Sequence, residues 1–279
     1  MTIAICSNRP AQLARILPAA RRAVGEADRI LVVLDTGNGF SGGRLEMDRV
    51  DYLNNDRNRG LVYSRNRVMK ECVTRHVVFV DDDVVVDSRA IESLRAALAS
   101  GASVVGARIT ADFGGKKVPW FVSAGQLHYL GSHDPNAPAS TWGGCFGVDV
   151  ESARLFGVDF DERLGRFGWS LNSGEDTTFV RRMRSQGVVE VVLDEPDVRH
   201  LIAPDRLRLR YLIRRAYWQG RSEVRRRDVQ RGVLKEWRRN TRSAGFGIRR
   251  SSLAMLYMSA VVAGAVAEAA RSWCCHQLR

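Results

Sequence analysis

Short apolar runs rich in valine and isoleucine alternate with amphipathic helical stretches through the first hundred residues, and this alternation constrains the fold more than any other feature of the 279-residue chain. A strand, a covering helix and a second strand form the unit from which parallel sheets are built. Residues 2–6 and 29–34 read as strands, and residues 10–24 between them carry Leu13, Ile16, Leu17 and Ala20 at helical spacing. A second unit has a helix over 60–72 and a buried valine-rich strand over 76–80. A third has a helix over 88–99, with Ser88 as its N-cap, and a strand over 103–107. After about residue 110 glycine and aromatic residues become frequent (Trp120, Phe121, Trp142, Phe146), which predicts mixed strands and functional loops. A strand is expected over 188–193, and helical character returns at 177–186 and from Pro204 onward.

Charge divides the chain. The net charge is +12, yet residues 199–250 hold 17 Lys and Arg against Asp205, Glu223, Asp228 and Glu236, so the remainder is nearly neutral. A concentrated basic region attracts phosphate, nucleic acid or anionic lipid. Cys6, Cys72, Cys145, Cys274 and Cys275 are odd in number and contain no CxxC pair, which suits a reducing compartment and argues against a disulfide framework or zinc site. The first six residues read as a strand rather than a leader peptide. Residues 251–267 are uncharged but fall short of the roughly 20 apolar residues a spanning helix needs.

Three groups of residues carry chemistry. Asp81, Asp82 and Asp83 directly follow the strand His76–Val80, at the kind of strand end where open α/β sheets bind ligands. Adjacent carboxylates repel, and Mg²⁺ or Mn²⁺ relieves that repulsion while taking further ligands from phosphate and water. In an extended segment Asp81 and Asp83 point one way and Asp82 the other. A solvated, helix-capping turn is the competing reading. Next, Asn58, Arg59 and Gly60 precede Ser64, Arg65, Asn66 and Arg67, so backbone amides and an arginine at a helix start suit an anionic diphosphate. An exposed helix face explains the same arginines. Finally, Gly174, Glu175 and Asp176 open an amphipathic helix; the acids either favour its positive end or supply a general base.

In combination these groups resemble the inverting family 2 glycosyltransferases of the GT-A fold, from about Thr2 to His200. The matching pieces are the opening strand through Ser7, Asn8 and Arg9, the strand ending at Asp35, Asn58 to Gly60 with Arg65 and Asn66, and the acidic triplet. Trp142 to Phe146, Phe160 to Glu162 and Gly174 to Asp176 complete the set. The resemblance implies an α/β fold, a Rossmann-like mixed sheet flanked by helices. It implies a catalytic domain over 1–200, with a donor half to about 110 and an acceptor half beyond, and a basic helical extension over 201–279.

The same resemblance assigns roles. Asp35 would bond the donor base, with Ser7 and Asp82 among the donor contacts and Arg65 near base or diphosphate. Asp81 would touch ribose or metal, and Asp83 would hold Mn²⁺ or Mg²⁺ together with His200, which lies beyond the 188–193 strand. Gly143 and Gly144 would let the backbone approach the donor sugar, Glu175 would contact the acceptor, and Asp176 would take the acceptor proton. The loop before Gly174 is longer than usual and puts Trp169 where an acceptor could stack. The opening lacks the family's usual Pro-Thr/Ser-Tyr-Asn, and the Gln-x-x-Arg-Trp motif of processive synthases is missing, which favours transfer of single sugars.

The expected function is therefore metal-assisted transfer from a nucleotide-diphosphate sugar to an acceptor hydroxyl, on a polysaccharide precursor, a lipid-linked sugar or a secondary metabolite. Sugar nucleotidyl transfer and non-enzymatic nucleic-acid binding are the alternatives. The first lacks a Gly-rich phosphate loop after the opening strand, and the second leaves the acidic groups unexplained. The expected setting is cytoplasmic, peripheral at the inner face of a membrane, with an anionic lipid surface or a second subunit (a homodimer) meeting the basic extension, and no nucleic acid.

Overall fold

The computed structural model of the protein describes residues 1–37, 48–122, 124–226, 238 and 248–277. The alternation seen in the sequence folds as β1 (Thr2–Ser7), α1 (Pro10–Ala23), β2 (Arg29–Leu34), β3 (Val50–Asn54), α2 (Leu61–Glu71), β4 (His76–Val80), β5 (Val84–Val86) and α3 (Ser88–Ala99). Then come β6 (Val104–Asp112), the short α4 (Ala124–Leu127), β7 (Cys145–Asp149), α5 (Val150–Leu155), α6 (Glu175–Ser185) and β8 (Glu190–Leu201). Two longer helices follow, α7 (Leu209–Arg225) and α8 (Ile248–Gln277).

The eight strands form one mixed sheet in the order β3-β2-β1-β4-β7-β6-β8-β5. β1 runs parallel to β2 and β4, with Thr2 opposite both Arg29 and Val77, so all three strands finish at the same end of the sheet, β1 and β2 together and β4 two residues sooner. β7 runs antiparallel between β4 and β6 and brings Cys145 opposite Val80 at that same end. Alternation along the strands feeds two cores. Ile3, Ile5, Val78 and Val80 pack under α1 and α3, while Ala4, Val77, Phe79 and Phe146 pack under α2, α5 and α6. In α1 the predicted stripe Leu13, Ile16, Leu17 and Ala20 is buried.

Three local expectations are revised. Asp87 rather than Ser88 caps α3: Asp87 is the last extended residue, and its carboxylate accepts the Ala90 amide at 2.7 Å. β8 extends to Leu201 because its second half pairs with both β6 and β5, so His200 lies inside the strand, opposite Val84, rather than beyond it. The C-terminal helix is longer than the uncharged run, since Glu268 and Arg271 continue it; its Ser252–Trp273 portion is 22 residues, long and apolar enough by length and composition to cross a membrane. Much of the basic segment, residues 227–237 and 239–247, lies outside the described residues, as do the side chains of Cys274 and Cys275.

α8 is fixed against α7. A Cβ on Gly220 would overlap the Val261 carbonyl, and one on Gly264 the Tyr217 carbonyl, so only glycine permits this approach. Nearby, Glu268 is 1 % exposed and accepts hydrogen bonds from Arg221, Arg225 and Arg271. Burial would raise its carboxyl, but the hydrogen bonds and charges of Arg225 and Arg221 outweigh that and lower it to about 2.

A carboxyl depressed in the folded state stabilises above its ordinary value and loses that contribution as pH falls toward 2. Glu268→Ala is therefore expected to cost about 3 kcal/mol near neutral pH, as when one partner of a buried ion pair is removed. Urea unfolding at descending pH should show the parent and variant converging as about pH 2 is approached.

Candidate functional site

Because β1, β2 and β4 finish at the same end of the sheet, Ser7, Asp35 and Asp81 emerge on one cavity wall, and the Asp81 amide donates to the Gly144 carbonyl at 3.0 Å, drawing the β7 approach to the same end. All line one cavity of about 850 Å³. The acidic triplet does not stay extended. The Val84 amide bonds back to the Asp81 carbonyl at 3.0 Å, and in the resulting turn Asp82 and Asp83 share the Arg9 guanidinium while Asp81 faces Arg65. The alternation expected of a strand is thus replaced by a split into one acid and a pair.

Each member has its own environment. Asp82, 4 % exposed, accepts from the Ser7 hydroxyl at 2.5 Å and from Arg9 Nε at 3.2 Å; burial pushes its carboxyl above the usual range against the pull of Arg9. Burial acts the same way on Asp83 but is overcome by the hydrogen bond and charge of His200 and the charges of Arg206 and Arg9, which hold it well below the usual range. His200 Nε2 lies 3.3 Å from Asp83 Oδ1, and Arg206 bridges the two, donating from Nη2 to Asp83 Oδ2 at 2.8 Å with Nη1 3.0 Å from His200 Nε2.

A carboxylate oxygen and an imidazole nitrogen converging on a cavity wall are donors that suit Mn²⁺ or Mg²⁺, so Asp83 and His200 fit such an ion as a pair. Asp81 is engaged elsewhere, and among the described residues no group of three His, Cys, Asp or Glu is gathered for a metal. Mg²⁺ ordinarily takes only one or two carboxylates and completes its shell with phosphate and water.

Arg65 is the centre of the site. It is 1 % exposed and donates to Asp81 at 2.9 Å, to Glu175 at 3.2 Å and to the Gly143 carbonyl at 2.7 Å. Its guanidinium carbon sits 5.6 to 5.8 Å from the ring centres of Phe79, Phe146 and Phe160. A Cβ on Gly143 would come 2.9 Å from Arg65 Nη1, which is why a glycine stands there. The Gly143 amide in turn donates to Asp176 Oδ2 at 2.6 Å, and Asp176 Oδ1 takes the Thr177 amide at 2.6 Å. Beside it, Glu175 is pushed up to about 7, first by burial and then by Asp176, with Arg65 opposing.

Asp35 is turned toward its own loop. Its carboxylate accepts the amides of Arg59 and Gly60, each at 2.7 Å, and Asn55 Nδ2 at 2.8 Å. Of the residues singled out in the sequence, Ser7, Asp35, Arg65, the triplet, Gly143, Gly144, Glu175, Asp176 and His200 share the cavity. Trp169 does not. It is 87 % exposed and outside the cavity wall, its carbonyl held by Arg214. Cys6 lines the cavity, but burial pushes its thiol up to about 12, which leaves it no nucleophile near neutrality.

Arg9 and Arg166 were not assigned roles by sequence reasoning, and Arg206 was read only as part of a basic interface, though all three line the cavity. Arg9 stands in a motif already noted for resemblance, whereas Arg206 was hidden in a run of basic residues. The segment expected as an extension also supplies a wall. Ser173 donates to Gln219 at 3.2 Å, and Gln219 donates to Glu223 at 2.6 Å, so α7 closes the side facing α6.

Residues 2–155 match the profile of the family described as Glycosyl transferase family 2. No curated protein sequence matches the chain. Two solved structures share its fold at 13 % identity. For TarS 1-349 of S. aureus the TM-score is 0.52, covering 95 % of this chain and 80 % of that one. For the mannosyltransferase PcManGT of Pyrobaculum calidifontis, determined with GDP-Man and Mn²⁺, it is 0.57, covering 96 % and 86 %.

Glu175 generates a prediction of its own. A carboxyl raised in the folded state leaves stability intact below its ordinary value near 4.5 and withdraws it as pH rises through about 7. Glu175→Gln should match the parent in thermal unfolding below about pH 4.5 and exceed it by about 2–4 °C above pH 7. A variant no more stable at high pH would mean that Arg65 keeps Glu175 ionised.

Proposed function

The chain belongs to glycosyl transferase family 2, and from that membership we propose that it moves a single sugar from a nucleotide-diphosphate donor to an acceptor hydroxyl with inversion at the anomeric carbon. One observation carries the reading: the acidic triplet at the end of β4 and Asp176 at the start of α6 face a single cavity, linked through Arg65 and Gly143.

In the proposed reaction Asp176 takes the proton of the acceptor hydroxyl as its oxygen bonds the anomeric carbon. The bond from that carbon to the diphosphate oxygen breaks on the opposite face, and the electron pair leaves with the diphosphate. The Gly143 and Thr177 amides each take one Asp176 oxygen, which fixes the carboxylate as a general base must be fixed. Ser7, Asp35, Asp82, Gly143 and Gly144 are proposed to receive the donor nucleotide and sugar, and Glu175 the acceptor. Arg65 is proposed to hold this frame from beneath. Asp83 and His200 would hold Mn²⁺ or Mg²⁺, which when bound neutralises the departing diphosphate, while Asp81 stays on Arg65. Arg9, Arg166 and Arg206 add fixed positive charge on the same wall. The acceptor is a hydroxyl-bearing polysaccharide precursor, lipid-linked sugar or secondary metabolite, and a lipid-linked one would bring the enzyme to the inner face of a membrane from the cytoplasm.

Asp176→Asn is expected to lower kcat by about a hundredfold or more while leaving donor affinity nearly unchanged. Steady-state kinetics with UDP- and GDP-sugars test this, and a rise in donor KM at constant kcat would make Asp176 a binding residue. The product separates the reactions: nucleoside diphosphate marks sugar transfer, pyrophosphate marks nucleotidyl transfer. Asp83→Ala should weaken Mn²⁺-dependent binding of UDP or GDP by at least about tenfold, read by calorimetric titration, and unchanged affinity would remove Asp83 from the ligand set.

A further inference from the structure

The face of α8 turned away from α7 is apolar along its length. Ala254, Tyr257, Val261, Ala265 and Glu268 are buried on the inner side. On the outer side Met255 is 64 % exposed, Val262 47 %, Val266 64 % and Trp273 64 %, with Leu256 flanking them. These positions recur at helical spacing, so they form one ridge rather than scattered exposures.

Charge around the ridge is one-sided. From Pro204 onward the described residues contain three acidic side chains, of which Glu223 and Glu268 are buried and Asp205 is exposed. Arg208, Arg210, Arg214 and Arg271 are exposed. Between α7 and α8 the sequence adds Arg227, Arg231, Lys235, Arg238, Arg239 and Arg242 against Asp228 and Glu236. An apolar ridge ending in a tryptophan, in a segment where exposed arginines outnumber the exposed acid Asp205, has the composition of an interfacial helix.

We propose that the outer face of α8 lies flat on an anionic lipid leaflet, its apolar side chains at the level of the acyl boundary and the neighbouring arginines on lipid phosphates. Spanning is disfavoured by the anchor on the other side. Leaving α7 would strip Glu268 from Arg221 and Arg225 and carry its charge into hydrocarbon. A second copy is the weaker occupant, because a two-fold contact through this face sets two cationic surfaces against each other. The inference goes beyond sugar transfer and does not depend on it, since binding is read without donor or acceptor.

The test is flotation of the full chain with vesicles of phosphatidylcholine alone and of phosphatidylcholine mixed with phosphatidylglycerol. The protein should float with the mixed vesicles only, and high salt should weaken binding by about tenfold or more. Val262→Asp with Val266→Asp should abolish flotation while thermal unfolding and binding of UDP or GDP stay as in the parent; both side chains are solvent-exposed, so the fold is retained. Arg208→Gln with Arg210→Gln should weaken it several-fold. Failure to bind mixed vesicles, equal binding to both kinds, or full binding by the aspartate variant overturns the proposal. So does a dimer seen by ultracentrifugation without vesicles that the aspartate variant dissolves, which would assign the face to a second copy.

Discussion

The buried guanidinium of Arg65 is the interaction on which the rest of the site depends. Placing a permanent charge at 1 % exposure is tolerated only where acceptors and opposite charge surround it, and Asp81, Glu175 and the Gly143 carbonyl provide both. Phe79, Phe146 and Phe160 close around it, so the charge sits on a packed aromatic floor. These partners come from β4, the approach to β7 and the start of α6, and one side chain therefore sets the spacing between the acid edge of the sheet and Asp176. The glycine at 143 follows from the same constraint, because a side chain there would collide with the guanidinium.

Around this centre the cavity is built from carboxylates whose charges are matched one by one. Asp82 and Asp83 share Arg9, Asp83 also meets Arg206 and His200, and Asp35 is met by backbone amides. Matching of this kind lets several acids stand close together at a strand end without mutual repulsion unfolding the edge. It also divides their chemistry. His200, Arg206 and Arg9 hold Asp83 well below the usual range, whereas burial pushes Asp82 up and Glu175 up to about 7, so neighbouring carboxyls of one cavity are pulled in opposite directions by their surroundings.

The C-terminal helices are joined to this arrangement more closely than a linear division of the chain suggests. α7 walls the cavity through Gln219 and Glu223, and α8 is locked to α7 by Gly220, Gly264 and Glu268. A surface met by α8 would thus be mechanically continuous with the wall opposite Asp176.

Much of the fold was legible in the sequence, because strands and helices announce themselves by local periodicity. The alternation of apolar runs with amphipathic stretches fixed β1, α1, β2, β4 and α3. The acids directly after the β4 run were bound to emerge at its end, whatever the rest of the fold. Local pattern also limited what could be read. β3 was missed: Val50, Tyr52 and Leu53 are only partly buried and Asp51 and Asn54 are exposed, so its apolar signal is weak. The cap of α3 slipped by one residue, and His200 was placed beyond a strand that contains it. The pairings were decided only by tertiary structure. Arg206 meets Asp83 across 123 positions and Arg65 meets Glu175 across 110, contacts created by the order of strands in the sheet. Spacing along a chain determines which residues share a strand end or a helix face; which charge neutralises which is settled by the packing that brings distant elements within hydrogen-bond reach.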